Sequence, residues 1–273
     1  MSMVQAFLLI GIGLFVGFIG TLIGSGGGFI LVPLLVILFP DLRPESITSI
    51  SLGIVFLNAS SGSIAYAKMK RIDYKSAFLF GLATLPGAVF GAYLTSYIPK
   101  RAFNLLLGIV LILTAAFLLL RPHYRKTRKK EQGHGLTRRI LTDNKGQHYN
   151  YSFNKWTGII LSFVVGFLSS LLGIGGGIIH VPALTALLNF PIHIATATSH
   201  LILAIMALAG TAVHILQGHL KGQWSTMLFI GLGVIAGAQG GAYFSHYAKP
   251  SWIIRALAIA LLLVGVRIVL IHN

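Results

Sequence analysis

The sequence is poor in charge, and poorest in negative charge. Only five of its 273 residues are carboxylates: Asp41, Glu45, Asp73, Glu131 and Asp143. Charged residues make up 10% of the chain, against about 25% in an ordinary soluble domain. So few charges cannot wet the surface of a soluble globule of this length, and 55% of the residues are hydrophobic. The chain therefore reads as a polytopic membrane protein. Cysteine is absent, which excludes disulfides, iron–sulfur clusters and thiol catalysis. No HExxH and no nucleophile–base set occurs, so neither an enzyme nor a bound metal or cofactor is expected. None of the five carboxylates falls in the middle of an apolar segment. Cation carriers and proton pumps commonly keep one there, so the lack argues against a cationic substrate and suits an anion.

What is present is positive charge, +16 net, concentrated in loops and above all in "RPHYRKTRKKEQGHGLTRRI" from Arg121 to Ile140. A basic run beside apolar spans marks a cytoplasmic loop and is suited to lie against anionic lipid headgroups. No aromatic stacking platform accompanies it, so nucleic acid is not expected as a partner. The N-terminus, "MSMVQAFLLI", lacks the positive region of a signal peptide, and the first apolar run is expected to stay as a membrane segment.

The chain repeats itself. Gly17, Phe18, Leu22, Gly24, Gly26, Gly27, Gly28, Ile30, Val32 and Pro33 recur in register as Gly166, Phe167, Leu171, Gly173, Gly175, Gly176, Gly177, Ile179, Val181 and Pro182. Further on, Ser51 matches Ser199, Gly62 matches Gly210, and "GLATLPGAVFGAYL" from Gly81 resembles "GLGVIAGAQGGAYF" from Gly231. Matches in the same order over half a chain argue for duplication. Each half has five apolar segments: about 4–23, 28–39, 47–67, 76–97 and 103–120, then about 156–173, 177–190, 194–215, 224–246 and 252–271. A bilayer core of about 30 Å needs about 20 helical residues, so the second segment of each half is too short to cross.

The expected fold is an all-α polytopic membrane protein of two homologous halves. Each half is a glycine-broken helix hairpin followed by about three transmembrane helices. Residues 1–121 form the first repeat, 122–154 a basic cytoplasmic linker, and 155–273 the second repeat. Loop charge favours inverted repeats. Lys68, Lys70, Arg71 and Lys75 mark an inside loop, whereas the counterpart "LQGHLKGQ" holds only Lys221. If the first two segments instead made one crossing, the repeats would be parallel.

Three adjacent glycines inside lipid are costly. Irregular backbone at membrane depth is tolerated only where protein buries it or where it lines a polar cavity. The helix after each break starts with amides that have no helical partner and carry partial positive charge. Two such starts facing each other across a central cavity would bind an anion. Packing alone is the other reading, and it accounts for GxxxG pairs such as Gly87–Gly91 and Gly237–Gly241. A phosphate loop is excluded because Phe or Ile, not Gly-Lys-Ser/Thr, follows the glycines. The candidate binding residues are Gly24, Ser25, Gly26, Gly27, Gly28, Ser51 and Asn58 in the first half. In the second they are Gly173, Gly175, Gly176, Gly177, Thr198 and Ser199. Neutral hydroxyls and amides donate to an oxyanion without a fixed charge. His180, after the second break, and His200, after Ser199, are candidates to carry a coupled proton.

The motif GxxxxLxGxGGGxxxVP, at Gly17–Pro33 and again at Gly166–Pro182, resembles the sulfite exporter TauE/SafE family. Agreement extends to the serine after each short segment, the region around Gly62 and "PGAVFGAYL" from Pro86. The resemblance covers almost the whole chain except the basic linker. It implies a multi-pass permease of the prokaryotic plasma or inner membrane for sulfite, a sulfonate or a related small anion. The long linker departs from the family's look, as does His200 where a leucine is expected after the Thr-Ser pair. The expected function is a secondary permease, working as an exporter by alternating access around the two glycine-broken helices. A passive anion channel and a membrane assembly subunit without transport are the alternatives. Partners would be the small anion and the bilayer, with self-association into a homo-oligomer left open.

Overall fold

The computed structural model describes residues 3–120, 136–245 and 250–271. Among the described residues, ten helices follow the ten apolar segments closely. In the first half they are α1 (Met3–Ile23), α2 (Gly28–Leu38), α3 (Pro44–Lys68), α4 (Tyr74–Thr95) and α5 (Lys100–Leu120). In the second they are α6 (Lys155–Leu172), α7 (Gly177–Leu187), α8 (Ile192–Leu216), α9 (Trp224–Phe244) and α10 (Pro250–Ile271). Among the described residues, α1, α3, α4, α5, α6, α8 and α9 are long and apolar enough to cross a membrane. The short helices α2 and α7 have 11 residues each, about 16 Å of rise. The protein is an all-α polytopic membrane protein, as expected.

Local chemistry sets the helix ends. Asp73 caps α4 by accepting from Ser76 N at 3.1 Å, and Asn154 caps α6 by accepting from Trp156 N at 2.9 Å. Pro44 opens α3, where its missing N–H costs nothing. Gly173, with φ of 69°, ends α6 in the left-handed region that glycine enters without strain. Pro33 and Pro182 each sit at the sixth residue of a short helix and remove one helical hydrogen bond there.

Packing repeats with the halves exchanged. Gly17 of α1 lies against the Val234 backbone of α9, and its counterpart Gly166 of α6 lies against the Thr84 backbone of α4. Gly237 and Gly241 of α9 face the carbonyls of Leu14 and Phe18, as Gly87 and Gly91 of α4 face those of Phe163 and Phe167. Small residues let these backbones approach closely. Residue numbers rise together along both pairs, so α1 runs parallel to α9 and α6 to α4. Between the equivalent helices α3 and α8 the order reverses. Gly62 meets the His200 ring and Gly210 meets Leu52, so α3 and α8 cross antiparallel.

The segment read as a basic linker, 122–154, holds a β-hairpin. Strands β1 (Thr137–Thr142) and β2 (His148–Phe153) pair antiparallel from Thr137↔Phe153 to Thr142↔His148. Tyr149, Tyr151 and Phe153 alternate along β2 and all point into a buried cluster with Phe80 and Phe190. Ring centroids lie 4.5 Å apart for Tyr151 and Phe190 and 5.0 Å apart for Phe153 and Phe190. The most basic part of the expected linker, 121–135, lies outside the described residues.

Candidate functional site

The two glycine breaks meet at the centre of the protein. A Cβ on Gly28 would stand 2.6 Å from Gly173 O, and one on Gly177 would stand 2.3 Å from Gly24 O. Both approaches are impossible for any residue with a side chain. Every residue from Gly24 to Phe29 and from Leu171 to Ile178 is buried. The two helix starts expected to face each other across a cavity are here in contact. In this conformation the breaks touch backbone to backbone, because hydrogen in place of Cβ lets them close on each other.

Each break is also clasped by the third helix of the opposite half. Gly24 lies against Thr196 of α8, and Gly173 against the equivalent Thr48 of α3. Ser51 donates from Oγ to Gly173 O at 2.6 Å. Its counterpart Ser199 is fully buried, and its Oγ has no hydrogen-bond partner. The first break folds back on its own helix: the amides of Gly24, Ser25 and Gly26 all converge on Gly20 O, at 3.1, 2.8 and 3.3 Å. Gly27, with φ of 82°, then starts α2 without a side-chain cap. Gly176, at the matching position, has φ of −53°, so the two breaks differ in backbone at this point.

Asn58 sits beside the first break, fully buried. Its Oδ1 accepts from Thr21 Oγ1 at 2.6 Å, while Nδ2 has no partner. A buried donor left unpaired costs about 1–3 kcal/mol. Nδ2 stands 2.8 and 3.2 Å from where Cβ atoms on Gly20 and Gly27 would be. Tyr66 completes the group by donating to Thr21 O at 2.8 Å and lying edge-on to His200. His200 is buried, with Nδ1 3.4 Å from Thr196 O and Nε2 without a partner. The structure thus brings Asn58, His200, Ser51 and both breaks into one buried region spanned by α1, α3 and α8, with Ser199 buried on the stretch of α8 between Thr196 and Leu203 that lies against the breaks. It places two expected residues elsewhere. Thr198 turns to the end of the bundle, where its Oγ1 accepts from Asp73 N at 3.1 Å. His180 pairs through Nε2 with Ser162 of α6 at 3.2 Å.

Sequence reasoning missed Thr21, Gly20 and Tyr66. Thr21 lies inside the repeated motif, but its counterpart Ser170 differs, so matching alone gave it no weight. Also missed was the polar lock between the hairpin and the α3–α4 loop. Arg71 faces Asp143 at 3.4 Å, Arg139 faces Asp73 at 3.4 Å, and Tyr151 donates to Asp73 Oδ2 at 2.9 Å. Burial pushes the Tyr151 phenol up, and the neighbouring Asp73 adds to it. Burial pushes the Asp143 carboxyl up, but the amides of Gln147 and Lys145, together with Arg71, outweigh it and hold the group below its ordinary value. At the far end of α8, His214 and His219 meet through Nδ1 atoms 3.0 Å apart.

Among the described residues, the paired glycine breaks of this polytopic helical bundle have neutral donors and no Lys or Arg around them, an arrangement that suits a membrane transporter. Residues 9–268 match the family described as "Sulfite exporter TauE/SafE". The chain belongs to this family. It is 34% identical to "Probable membrane transporter protein YunE" of Bacillus subtilis, over 96% of each chain. It is 25% identical to "Probable membrane transporter protein YdhB" of the same organism, over 86% of each. A relative of the same description in Methanocaldococcus jannaschii is 30% identical over 74% of this chain and 70% of its own. No solved structure matches the chain. It is a multi-pass protein of the membrane, and the prokaryotic cell membrane agrees with these relatives.

Proposed function

We infer that the protein is a secondary carrier, working as an exporter, for a small oxyanion such as sulfite or a sulfonate. The observation that carries this reading is the meeting of the two glycine breaks at the centre, each clasped by the opposite half. The anion lies between the breaks when they part, held by helix-start amides and by Ser51, Asn58 and Ser199. The halves are inverted repeats in the membrane, a reading supported by the antiparallel crossing of α3 and α8 and by the loop charges. Rocking of one half against the other then exposes the centre to each side in turn. The basic loop Lys68–Lys75 and the hairpin lie on the inner face, where anionic headgroups complement them. His200, beside the first break, is the residue that carries a coupled proton. His180, bonded to Ser162 on the far side of α7, is the weaker candidate.

Direct contact between the breaks supports a carrier over an open pore. Labelled sulfite taken up into proteoliposomes tests this. The expected result is saturable uptake that unlabelled sulfite on the other side accelerates. Unitary currents without counterflow would show a channel instead.

A further inference from the structure

The two breaks have matching sequences but different surroundings. In the first, a buried amide donor, Asn58 Nδ2, has no partner and lies beside Gly20 and Gly27, whose backbones close on each other because neither has a side chain. Thr21 holds the other side of that amide, so the donor's direction is fixed. In the second, the counterpart of Asn58 is Met206, which has no donor, and the counterpart of Gly20 is Ser169. Ser169 Oγ stands 2.6 Å from where a Cβ on Gly176 would be, so its own side chain fills the matching space. The second break keeps freely rotating hydroxyls, on Ser169 and Ser170, and no oriented amide. His200 repeats the pattern: it lies on the first-break side, and its counterpart is Leu52.

We propose that only the first break forms an oriented anion subsite, with Asn58 Nδ2 as its side-chain donor, and that the subsite takes monovalent oxyanions. The inference rests on the proposed carrier function. The donors around the subsite are neutral. No Lys or Arg occurs in α1, α2, α7 or α8, and those in α3 and α6, Lys68 and Lys155, sit at helix ends. While His200 is neutral, a second negative charge would enter this region uncompensated, and burying an unpaired charge is far costlier than burying a hydrogen-bonded one. A compact anion with one charge and several acceptor oxygens fits: hydrogensulfite or a small sulfonate, not sulfate.

The test uses the full chain in proteoliposomes, with labelled hydrogensulfite counterflow and competition by methanesulfonate or sulfate. Thermal unfolding in detergent, with and without hydrogensulfite, is read beside it. N58D keeps the oxygen that accepts from Thr21 and loses the donor. Its carboxylate is buried without a cation, so N58D is expected to unfold below the wild-type temperature, lose anion-induced stabilisation and lose flux by at least about tenfold. S169A is expected to keep wild-type flux, and methanesulfonate to compete where sulfate does not. Wild-type-like flux in N58D would overturn the inference, since Asn58 would then serve only to accept from Thr21. A loss in S169A matching that of N58D, or equal competition by sulfate, would overturn it as well. If N58D fails to fold, N58S decides: a raised KM supports the subsite and an unchanged KM overturns it. Wild-type protein that moves none of these anions would overturn the carrier reading along with this inference.

Discussion

Gly28 and Gly177 do at residue scale what no other residue type can do in their places. Gly177→Ala would drive a methyl into Gly24 O and the Ser25 backbone at 2.3 and 2.4 Å. Backbone cannot yield as a flexible side chain does, so the variant is expected to lose at least about 1–3 kcal/mol of stability. Gly11→Ala is the control. Nothing lies within 4 Å of its added carbon, and the change is expected to be neutral or stabilising by up to about 1 kcal/mol. Ser51→Ala removes the bond to Gly173 O and is expected to cost about 1 kcal/mol. Denaturant or thermal unfolding in detergent checks all three. The glycines and Ser51 were legible in the sequence because duplication marked them twice. Asn58 was legible only as a polar residue in an apolar segment. Its partner Thr21 and its unpaired side depend on how α1 meets α3, which no local pattern encodes.

At the scale of elements, length and apolarity placed all ten helices, and the triple glycines placed both breaks. The hairpin was not legible. Its alternation of Tyr149, Tyr151 and Phe153 is short and follows a long basic run, so composition hid the period. Its docking depends on Asp143, which closes the turn by accepting from Lys145 N at 2.9 Å and Gln147 N at 3.0 Å and faces Arg71. The pH dependence follows from the sign of its shift. A carboxyl held below its unfolded value of about 3.9 stabilises the docked form above that pH and loses the effect as pH falls through the folded value. The hairpin is therefore expected to stay docked from neutral pH to about 5 and to loosen only below about 4. A spin label on Asn144→Cys, in a chain with no other cysteine, reads this as mobility. In an Asp143→Ala background the label is expected to be mobile at neutral pH. An equally immobile label there would show that the aromatic cluster alone holds the hairpin.

At the scale of the whole molecule, the antiparallel meeting of α3 and α8 predicts that equivalent loops lie on opposite faces of the membrane. Lys75→Cys, at the start of α4, is expected to react with an impermeant maleimide only from inside. Lys221→Cys, in the α8–α9 loop, is expected to react only from outside. Labelling of both from one side would mean parallel repeats. The larger claim is that the two breaks part to hold the anion. An experimental density map of the protein saturated with the anion it carries tests this most directly. The account predicts density for one anion between the parted breaks, within hydrogen-bond distance of Asn58 Nδ2. Anion density elsewhere along the helices, with Gly28 and Gly177 still closed on the opposite backbone, would contradict it.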